Sequence, residues 1–354
     1  MGLSITEKKE RGTRPQDDKL AFGTTFTDHM FNMDYSVDRG WHSPRIEPFT
    51  NLSVSPATMV FHYGQAIFEG LKAYKTTNGE IRLYRARDNF KRMNKSARGM
   101  CIPEFDIDSM MENLKTLLKL EADWIPESPG TSLYIRPTVI ATDPYLGVRA
   151  AETYRFFIIL SPVGAYYAAG FNPVNIWISK NHVRAVRGGI GEFKTPGNYA
   201  ASLFASEQAK KAGYAQVLWL DGIERKYIEE VGAMNIFFCI NDELITPELN
   251  GSILPGITRD SVITLAKRWG MKMTERKISI DELIKAHRDG SLKEAFGSGT
   301  AAVISPVGEM RYGDEVLTIG DGKTGPVALK FNQAITDIQY GLAEDTESWI
   351  EIVK

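Results

Sequence analysis

The sequence predicts a mixed α/β protein of two domains, on three observations. Its 354 residues exceed the roughly 100 to 200 that one domain usually holds. Short apolar runs with strand-like character alternate with stripes at helical spacing. A stretch rich in glycine, proline and small residues, Ser161 to Pro173, separates two such sets.

Composition narrows the class. Hydrophobic residues make up 43% and charged residues 24%, which excludes a disordered, collagenous or disulfide-stapled chain. A net charge of −2 from 42 basic and 44 acidic residues spread along the chain gives no field to draw in nucleic acid or anionic lipid, so small molecules are the expected partners. The longest apolar runs, Phe156 to Leu160 and Ile236 to Ile240, fall far short of the ~20 residues of a spanning helix. Met1 to Leu20 is charged and has no secretory apolar core, and a cytoplasmic location is expected. Cys101 and Cys239 are read as buried small hydrophobes, not a disulfide. The histidines (29, 42, 62, 182 and 287) lack metal-ligand spacing, so no metal is expected.

Taken in order, the first ~25 residues are polar and aperiodic and read as a mobile arm, or one that orders against something else. A small α/β domain is expected over residues 26–162. Ser53 to Tyr84 reads as strands, with Asn78-Gly79 turning a hairpin between Leu71–Tyr74 and Ile81–Tyr84. Asp88 is placed as the cap of a helix carrying Phe90, Met93 and Ala97, and Asp108 as the start of one carrying Met111, Leu114, Leu118 and Trp124. Strands follow at Ser132–Ile140 and Thr153–Leu160. Residues 163–173 form the linker, and 174–354 a large second domain. There, Tyr214–Leu220 and the run through Tyr227, Ile228 and Val231 make a hairpin about Asp221-Gly222. Gly256-Ile257-Thr258 opens a helix that stops at Gly270, and a last helix carries Val327, Phe331, Ile335, Ile338 and Leu342 on one stripe.

Several residues could carry chemistry. Lys194 ends the run Gly188-Gly-Ile-Gly191-Glu-Phe-Lys194, where the backbone can turn sharply toward a ligand. Taken alone it reads as a solvated loop charge, and the glycine order does not match a dinucleotide fingerprint. Glu230 lies among Ile228, Val231 and Met234: either a strand-end charge, or a carboxylate that keeps a cofactor ring nitrogen protonated. Pro255-Gly-Ile-Thr258 at a helix start and Gly297-Ser-Gly-Thr300 each suit an anion or a plain turn. Arg92 could add a charged contact.

Together these pieces resemble a family. Phe61-His-Tyr-Gly-Gln-Ala-Ile-Phe-Glu-Gly70, Leu133-Tyr-Ile-Arg-Pro137, Ser161-Pro-Val-Gly-Ala-Tyr166, Gly191-Glu-Phe-Lys-Thr-Pro-Gly-Asn-Tyr199, Glu230-Val-Gly-Ala-Met-Asn235, Ile253-Leu-Pro-Gly-Ile-Thr-Arg259 and Phe296-Gly-Ser-Gly-Thr-Ala301 resemble, in order, the branched-chain amino-acid aminotransferases. The likeness runs from about residue 25 to the C-terminus. It implies a fold-type IV pyridoxal-phosphate enzyme with a smaller N-terminal α/β domain, a larger C-terminal pseudo-barrel domain and the cofactor between them. It also implies a homodimer or higher homo-oligomer.

By that resemblance Lys194 forms the Schiff base with pyridoxal 5'-phosphate and transfers protons. Glu230 pairs with the pyridine nitrogen and Tyr199 meets the phenolic oxygen. Arg92, Ile257, Thr258 and Thr300 hold the phosphate, and Arg184 supports the pocket. Phe68, Tyr134 and Tyr166 line the substrate side-chain pocket, Arg136 serves the distal carboxylate of glutamate or 2-oxoglutarate, and the α-carboxylate meets the Thr300-Ala301 turn. Tyr63, Leu146 and Val148 enter from the partner subunit. The expected reaction exchanges the amino group of leucine, isoleucine or valine with 2-oxoglutarate by ping-pong kinetics. D-amino-acid aminotransferases and aminodeoxychorismate lyases are similar in fold and cofactor and are the nearest rivals. Two departures stand out: Ala233 replaces a threonine of some members, and Ala302 and Ser305 occupy positions where some animal members carry a redox cysteine pair.

Overall fold

Strands β1 (Ser4–Ile5), β2 (His29–Ser36) and β3 (Gly40–Pro48) come first. They are followed by α1 (Met59–Tyr63), β4 (Ala66–Phe68), β5 (Leu71–Lys75), β6 (Ile81–Tyr84), α2 (Ala86–Gly99), α3 (Ile107–Leu120), β7 (Ser132–Ala141) and β8 (Thr153–Val163). This is a computed structural model, and it describes residues 2–164 and 171–354. The chain divides into two compact units: residues 1–166, 193–196 and 337–354 in one, and 167–192 and 197–336 in the other.

In the first unit, the Asn78-Gly79 turn joins β5 to β6 in antiparallel register, with Gly79 at φ 85° where a side chain would be strained. The predicted strands begin only at Ala66. Met59–Tyr63 is helical and stops at Gly64 in the left-handed region. Helix α2 turns Phe90, Met93 and Ala97 inward as its spacing demands, but Asp88 is not its cap. The helix starts two residues earlier, after Arg85, and Asp88 sits in the first turn accepting a hydrogen bond from Arg85 Nε at 2.8 Å. Helix α3 is likewise capped by Asp106, which accepts from the Ser109 N–H at 2.8 Å, and not by Asp108. Of two nearby aspartates, the one with extended backbone can turn its carboxylate back onto the helix. Strands β7 and β8 pair from Ser132 opposite Val163 to Ala141 opposite Tyr154 and bury Leu133, Ile135, Phe156 and Ile158 against α2 and α3. Cys101 is exposed, contrary to expectation, because the chain leaves α2 there with φ 54°; Cys239 is buried.

The second unit contains β9 (Val174–Ile178), α4 (Pro196–Ala200), α5 (Leu203–Lys211), β10 (Gln216–Leu220), β11 (Ile228–Val231), β12 (Met234–Ile240) and β13 (Glu243–Thr246). Then come α6 (Ile257–Arg268), β14 (Met273–Glu275), α7 (Ile280–Arg288), β15 (Leu292–Gly299), β16 (Val303–Tyr312), β17 (Glu315–Thr318) and α8 (Pro326–Tyr340), whose residues from Asp337 on are counted with the first unit. Strands β9, β10, β11, β12, β15 and β16 pair in a closed circuit, the expected pseudo-barrel. The hairpin about Asp221 forms as predicted, and Gly270 ends α6 at φ 67°. Helix α8 buries Phe331, Ile335 and Ile338, and Leu342 lies exposed beyond its end. Glu294 caps α8 by accepting from the N–H groups of Val327 and Ala328 at 2.9 and 3.0 Å.

The last strand, β18 (Ile350–Val353), pairs with β6 of the first unit, and Trp349 packs edge-on to Tyr84. Residues 337–354 therefore belong with the N-terminal unit and not with a domain running to 354. The first unit is the longer of the two, although the sequence predicts a larger second one. Residues 165–170, most of the expected linker, lie outside the described residues.

Candidate active site

Lys194 enters the first unit on the short segment 193–196. Its N–H donates to Ser96 Oγ of α2 at 2.9 Å and its carbonyl accepts from the Phe68 N–H of β4 at 3.0 Å, so the main chain is held from both sides. The Phe193 ring needs Gly99: a Cβ there would lie 2.3 Å from the ring. Lys194 Nζ sits 5.1 Å from the centre of the Phe68 ring, a cation over an aromatic face. The Arg136 guanidinium lies 4.8 Å from the same ring and 5.2 Å from that of Tyr134. Its Nη2 donates to the Tyr134 hydroxyl at 3.0 Å, and its Nε is buried with no partner among the described residues. Register explains the grouping. Phe68 pairs with Thr138 and Lys72 with Tyr134, so with period-two alternation Lys72, Tyr134, Arg136 and Phe68 share one face of the sheet. Gly70 makes room for Tyr134, whose hydroxyl lies 2.0 Å from where a Cβ would be.

Arg92 and Glu69 form a buried bidentate pair, Nε to Oε1 at 2.7 Å and Nη2 to Oε2 at 2.8 Å. Such a fork fixes the guanidinium plane and neutralises two charges that would each be costly to bury alone. Glu69 had drawn no role of its own from the sequence; its signal was a carboxylate in an otherwise apolar run. Phe22 was missed altogether. It packs edge-on against Tyr134 with ring centres 5.0 Å apart, and a polar aperiodic arm gave no hint of that contact.

In the second unit the barrel strands set Glu230 opposite Asn235 and Asn235 opposite Ser298. Glu230 is buried and ion-paired to Arg184. Arg184 also donates to the Ser252 and Gly191 carbonyls at 2.5 and 3.3 Å, so it ties the start of the Lys194 motif to the loop before α6. Asn235 Nδ2 donates to the Leu254 carbonyl at 2.9 Å and reaches Glu230 Oε1 at 3.4 Å. Gly256 cannot bear a side chain, since a Cβ would lie 2.0 Å from Asn235 Oδ1. The helix N-terminus at Ile257 and Thr258 and the turn through Thr300 and Ala301 are thus both tied to β12. Helix α6 has no side-chain cap, and its dipole favours an anion at that end. Ala233 is exposed at the β11–β12 turn, and Tyr199 is half-buried on α4.

The remaining predicted residues stand apart. Tyr63, Leu146 and Val148 form an exposed apolar group of the first unit, with the Tyr63 hydroxyl donating to the Leu146 carbonyl. Tyr166 lies outside the described residues. Ser305 is buried opposite Gly297 and Ala302 packs on the barrel core, so neither position has redox chemistry. No metal-binding cluster occurs among the described residues. Buried hydroxyls without a partner among the described residues include Thr195 Oγ1, beside Lys194, and Ser298 Oγ, near Thr300. Buried polar atoms of this kind call for a ligand or water.

The chain is similar in sequence and fold to known proteins. The family profile described as amino-transferase class IV matches residues 66–310. The branched-chain-amino-acid aminotransferase 2 of Bacillus subtilis is 57% identical over 347 residues, 98% of this chain and 95% of that protein. A branched-chain amino acid aminotransferase structure from Escherichia coli superposes with a TM-score of 0.76 at 28% identity, covering 91% of this chain and 99% of that one. One from T.th., solved with pyridoxamine 5'-phosphate, does so with a TM-score of 0.76 at 27% identity, covering 91% and 98%.

Proposed function

The chain belongs to the class IV aminotransferases, and from that premise we propose how its residues divide the work of a branched-chain-amino-acid transamination. The reaction moves the amino group of leucine, isoleucine or valine to 2-oxoglutarate and depends on pyridoxal phosphate. The residues fit that cofactor: a lysine amine over an aromatic ring, a buried carboxylate paired with arginine, and buried hydroxyls beside Lys194 and Thr300 that have no partner among the described residues.

When bound, pyridoxal phosphate supplies the electron sink for the charge left on the substrate Cα. Lys194 is assigned its attachment and the proton transfer. Once the substrate's amino group has displaced it, the freed Lys194 amine would take the proton from Cα and deliver one to the carbon it was attached to, with the main chain at Lys194 held still for both transfers. Glu230 offers its carboxylate to the protonated ring nitrogen, with Arg184 and Asn235 setting its orientation. Tyr199 is assigned to the phenolic oxygen. Ile257, Thr258 and Thr300 are assigned to the phosphate, with Arg92, its plane fixed by Glu69, assigned as a further N–H donor.

Phe68, Tyr134 and Tyr166 are assigned to the branched side chain. Arg136 is assigned to the distal carboxylate of the five-carbon co-substrate, and the unpartnered Nε supports that role. The α-carboxylate is assigned to the Thr300-Ala301 turn. Tyr63, Leu146 and Val148 are read as the contribution of a second copy in a homodimer or larger assembly. Cytoplasmic residence is part of the same reading, and no described helix is long and apolar enough to cross a membrane.

The observation that carries the residue assignments is the doubly held Lys194 main chain with its amine over Phe68. An amino-donor panel with 2-oxoglutarate as acceptor, run on wild type and Lys194→Ala, tests them. We expect leucine, isoleucine and valine to lead D-alanine by at least a hundredfold in kcat/KM. We also expect the variant to lose turnover, the yellow colour of the wild-type chain, and the cofactor that borohydride, while bleaching that colour, fixes covalently to the wild-type chain. An active, coloured variant would remove Lys194 from its role.

A further inference from the structure

The N-terminal arm is not loose. Asp28 and Glu121 of the first unit are buried, Glu121 completely, and the cations ion-paired to them, Lys8 and Arg11, both come from the arm. Lys8 Nζ donates to Asp28 Oδ1 at 2.7 Å, and the Gly12 N–H reaches both Asp28 oxygens at 3.0 Å. Arg11 donates to Glu121 Oε1 at 3.1 Å and to the Leu120 carbonyl at 2.5 Å. Buried His29 lies between the carboxylates. Its Nε2 accepts from the Lys8 N–H at 2.9 Å, which places the ring proton on Nδ1, 2.5 Å from Glu121 Oε1. Trp124 Nε1 completes the cluster with a bond to Asp28 Oδ2 at 3.1 Å. With the arm detached, two buried carboxylates would lose both of their ion-paired cations.

The arm then runs to the predicted substrate side. Arg14 Nε donates to the Asp123 carbonyl at 3.3 Å, and Asp17 accepts from the N–H groups of Glu127 and Ser128 at 3.1 and 2.9 Å. Leu20 is buried, and its carbonyl passes 2.7 Å from the place a Cβ of Gly164 would take. Two residues later Phe22 reaches the Tyr134 ring. We propose that residues 8–22 are a strap whose clip, Lys8 and Arg11 on Asp28, His29 and Glu121, fixes Phe22 against Tyr134 and thereby sets how tightly amino acids bind. Arg11, Asp28 and Glu121 are then positioning residues acting through Phe22. The proposal rests on the reading that Tyr134 lines the substrate pocket.

The test uses the cofactor-loaded full chain and four variants: Arg11→Ala, Arg11→Lys, Phe22→Ala and the double variant Arg11→Ala with Phe22→Ala. Arg11→Ala should raise KM for leucine about fivefold or more, with kcat within about twofold of wild type. It should also speed tryptic cleavage after Lys19 and change Trp124 fluorescence, and Arg11→Lys should recover part of the KM. Phe22→Ala should raise KM by itself, and adding Arg11→Ala should raise it no further, because the clip acts through that ring. If Arg11→Ala fails to fold, Lys8→Ala, at the more exposed end of the clip, takes its place. Faster proteolysis with unchanged KM, while Phe22→Ala still raises KM, would overturn the proposal and leave the pocket reading intact. No KM change in Phe22→Ala would overturn the proposal, and no KM change in a fifth variant, Tyr134→Ala, would overturn the pocket reading with it.

Discussion

Two side chains on one sheet face make opposite demands. Arg136 is held by Tyr134 and stacked on Phe68, with its Nε unpartnered among the described residues, and the proposed role gives its charge to an anion that arrives only with the five-carbon co-substrate. Arg136→Leu should therefore raise KM tenfold or more for the oxo-acid acceptor, 2-oxoglutarate, and by less than about threefold for leucine. Equal losses in single-turnover measurements of the two half-reactions would count against this role. Lys72 is buried, and burial lowers its pKa to about 8 from 10.5. Between those values the unfolded chain binds the proton and the folded chain does not, so stability rises with pH across that window, by up to about 3 kcal/mol from this group. Lys72→Met should flatten that rise; urea midpoints of both proteins at pH 7.5 and about pH 10 would show it.

At the scale of elements, the hairpin that delivers Glu230 depends on its turn. Burial alone would raise the Asp221 pKa, but the N–H groups of Tyr227, Glu224, Lys226 and Ile223, at 2.7 to 3.1 Å, outweigh it and hold the carboxyl below 3.8. A depressed carboxyl stabilises the fold fully above its unfolded pKa and loses that contribution as pH falls through its lower folded one. Asp221→Asn should cost about 2 kcal/mol at pH 7 and progressively less below about pH 4, measured by denaturant titration at the two pH values. A constant difference at both would assign the loss to shape and not charge. The turn was legible in the sequence as Asp221-Gly222, but the course of the loop on to Tyr227 was not, since its shape comes from one side chain satisfying several main-chain donors. Asp88 and Asp108 were misplaced as caps for a related reason: spacing shows where a helix is, and only backbone conformation shows which aspartate can reach its first turn.

For the whole molecule, the exposed group Tyr63, Leu146 and Val148 is the feature a single chain does not explain. Val148 is 85% exposed and Leu146 62%, in a loop held in shape by Asp143, which accepts from the N–H groups of Glu152 and Thr153 at 2.9 and 2.7 Å. An ordered loop that presents apolar side chains to solvent fits a self-complementary contact. Sedimentation equilibrium of the wild type should give a dimer or larger. Val148→Asp should shift it toward monomer and raise KM for leucine; an unchanged assembly would separate this loop from the interface.

The sequence by itself determined the family to which the chain belongs and the elements with strong local signals. The order of seven motifs identified that family and offered Lys194 and Glu230 as candidate site residues. Asn-Gly and Asp-Gly turns named two hairpins, and helical stripes named α2, α6 and α8, because each of these depends on neighbours within a few residues. What only the tertiary structure decided depends on pairing across long separations. It put Glu69 on Arg92 and Arg184 on Glu230, returned residues 337–354 to the N-terminal sheet through β18 and β6, and brought a polar arm to a buried charge cluster and to Tyr134. A strand's edge, a buried carboxylate and a ring face each accept many partners, and local sequence does not say which distant residue will meet them.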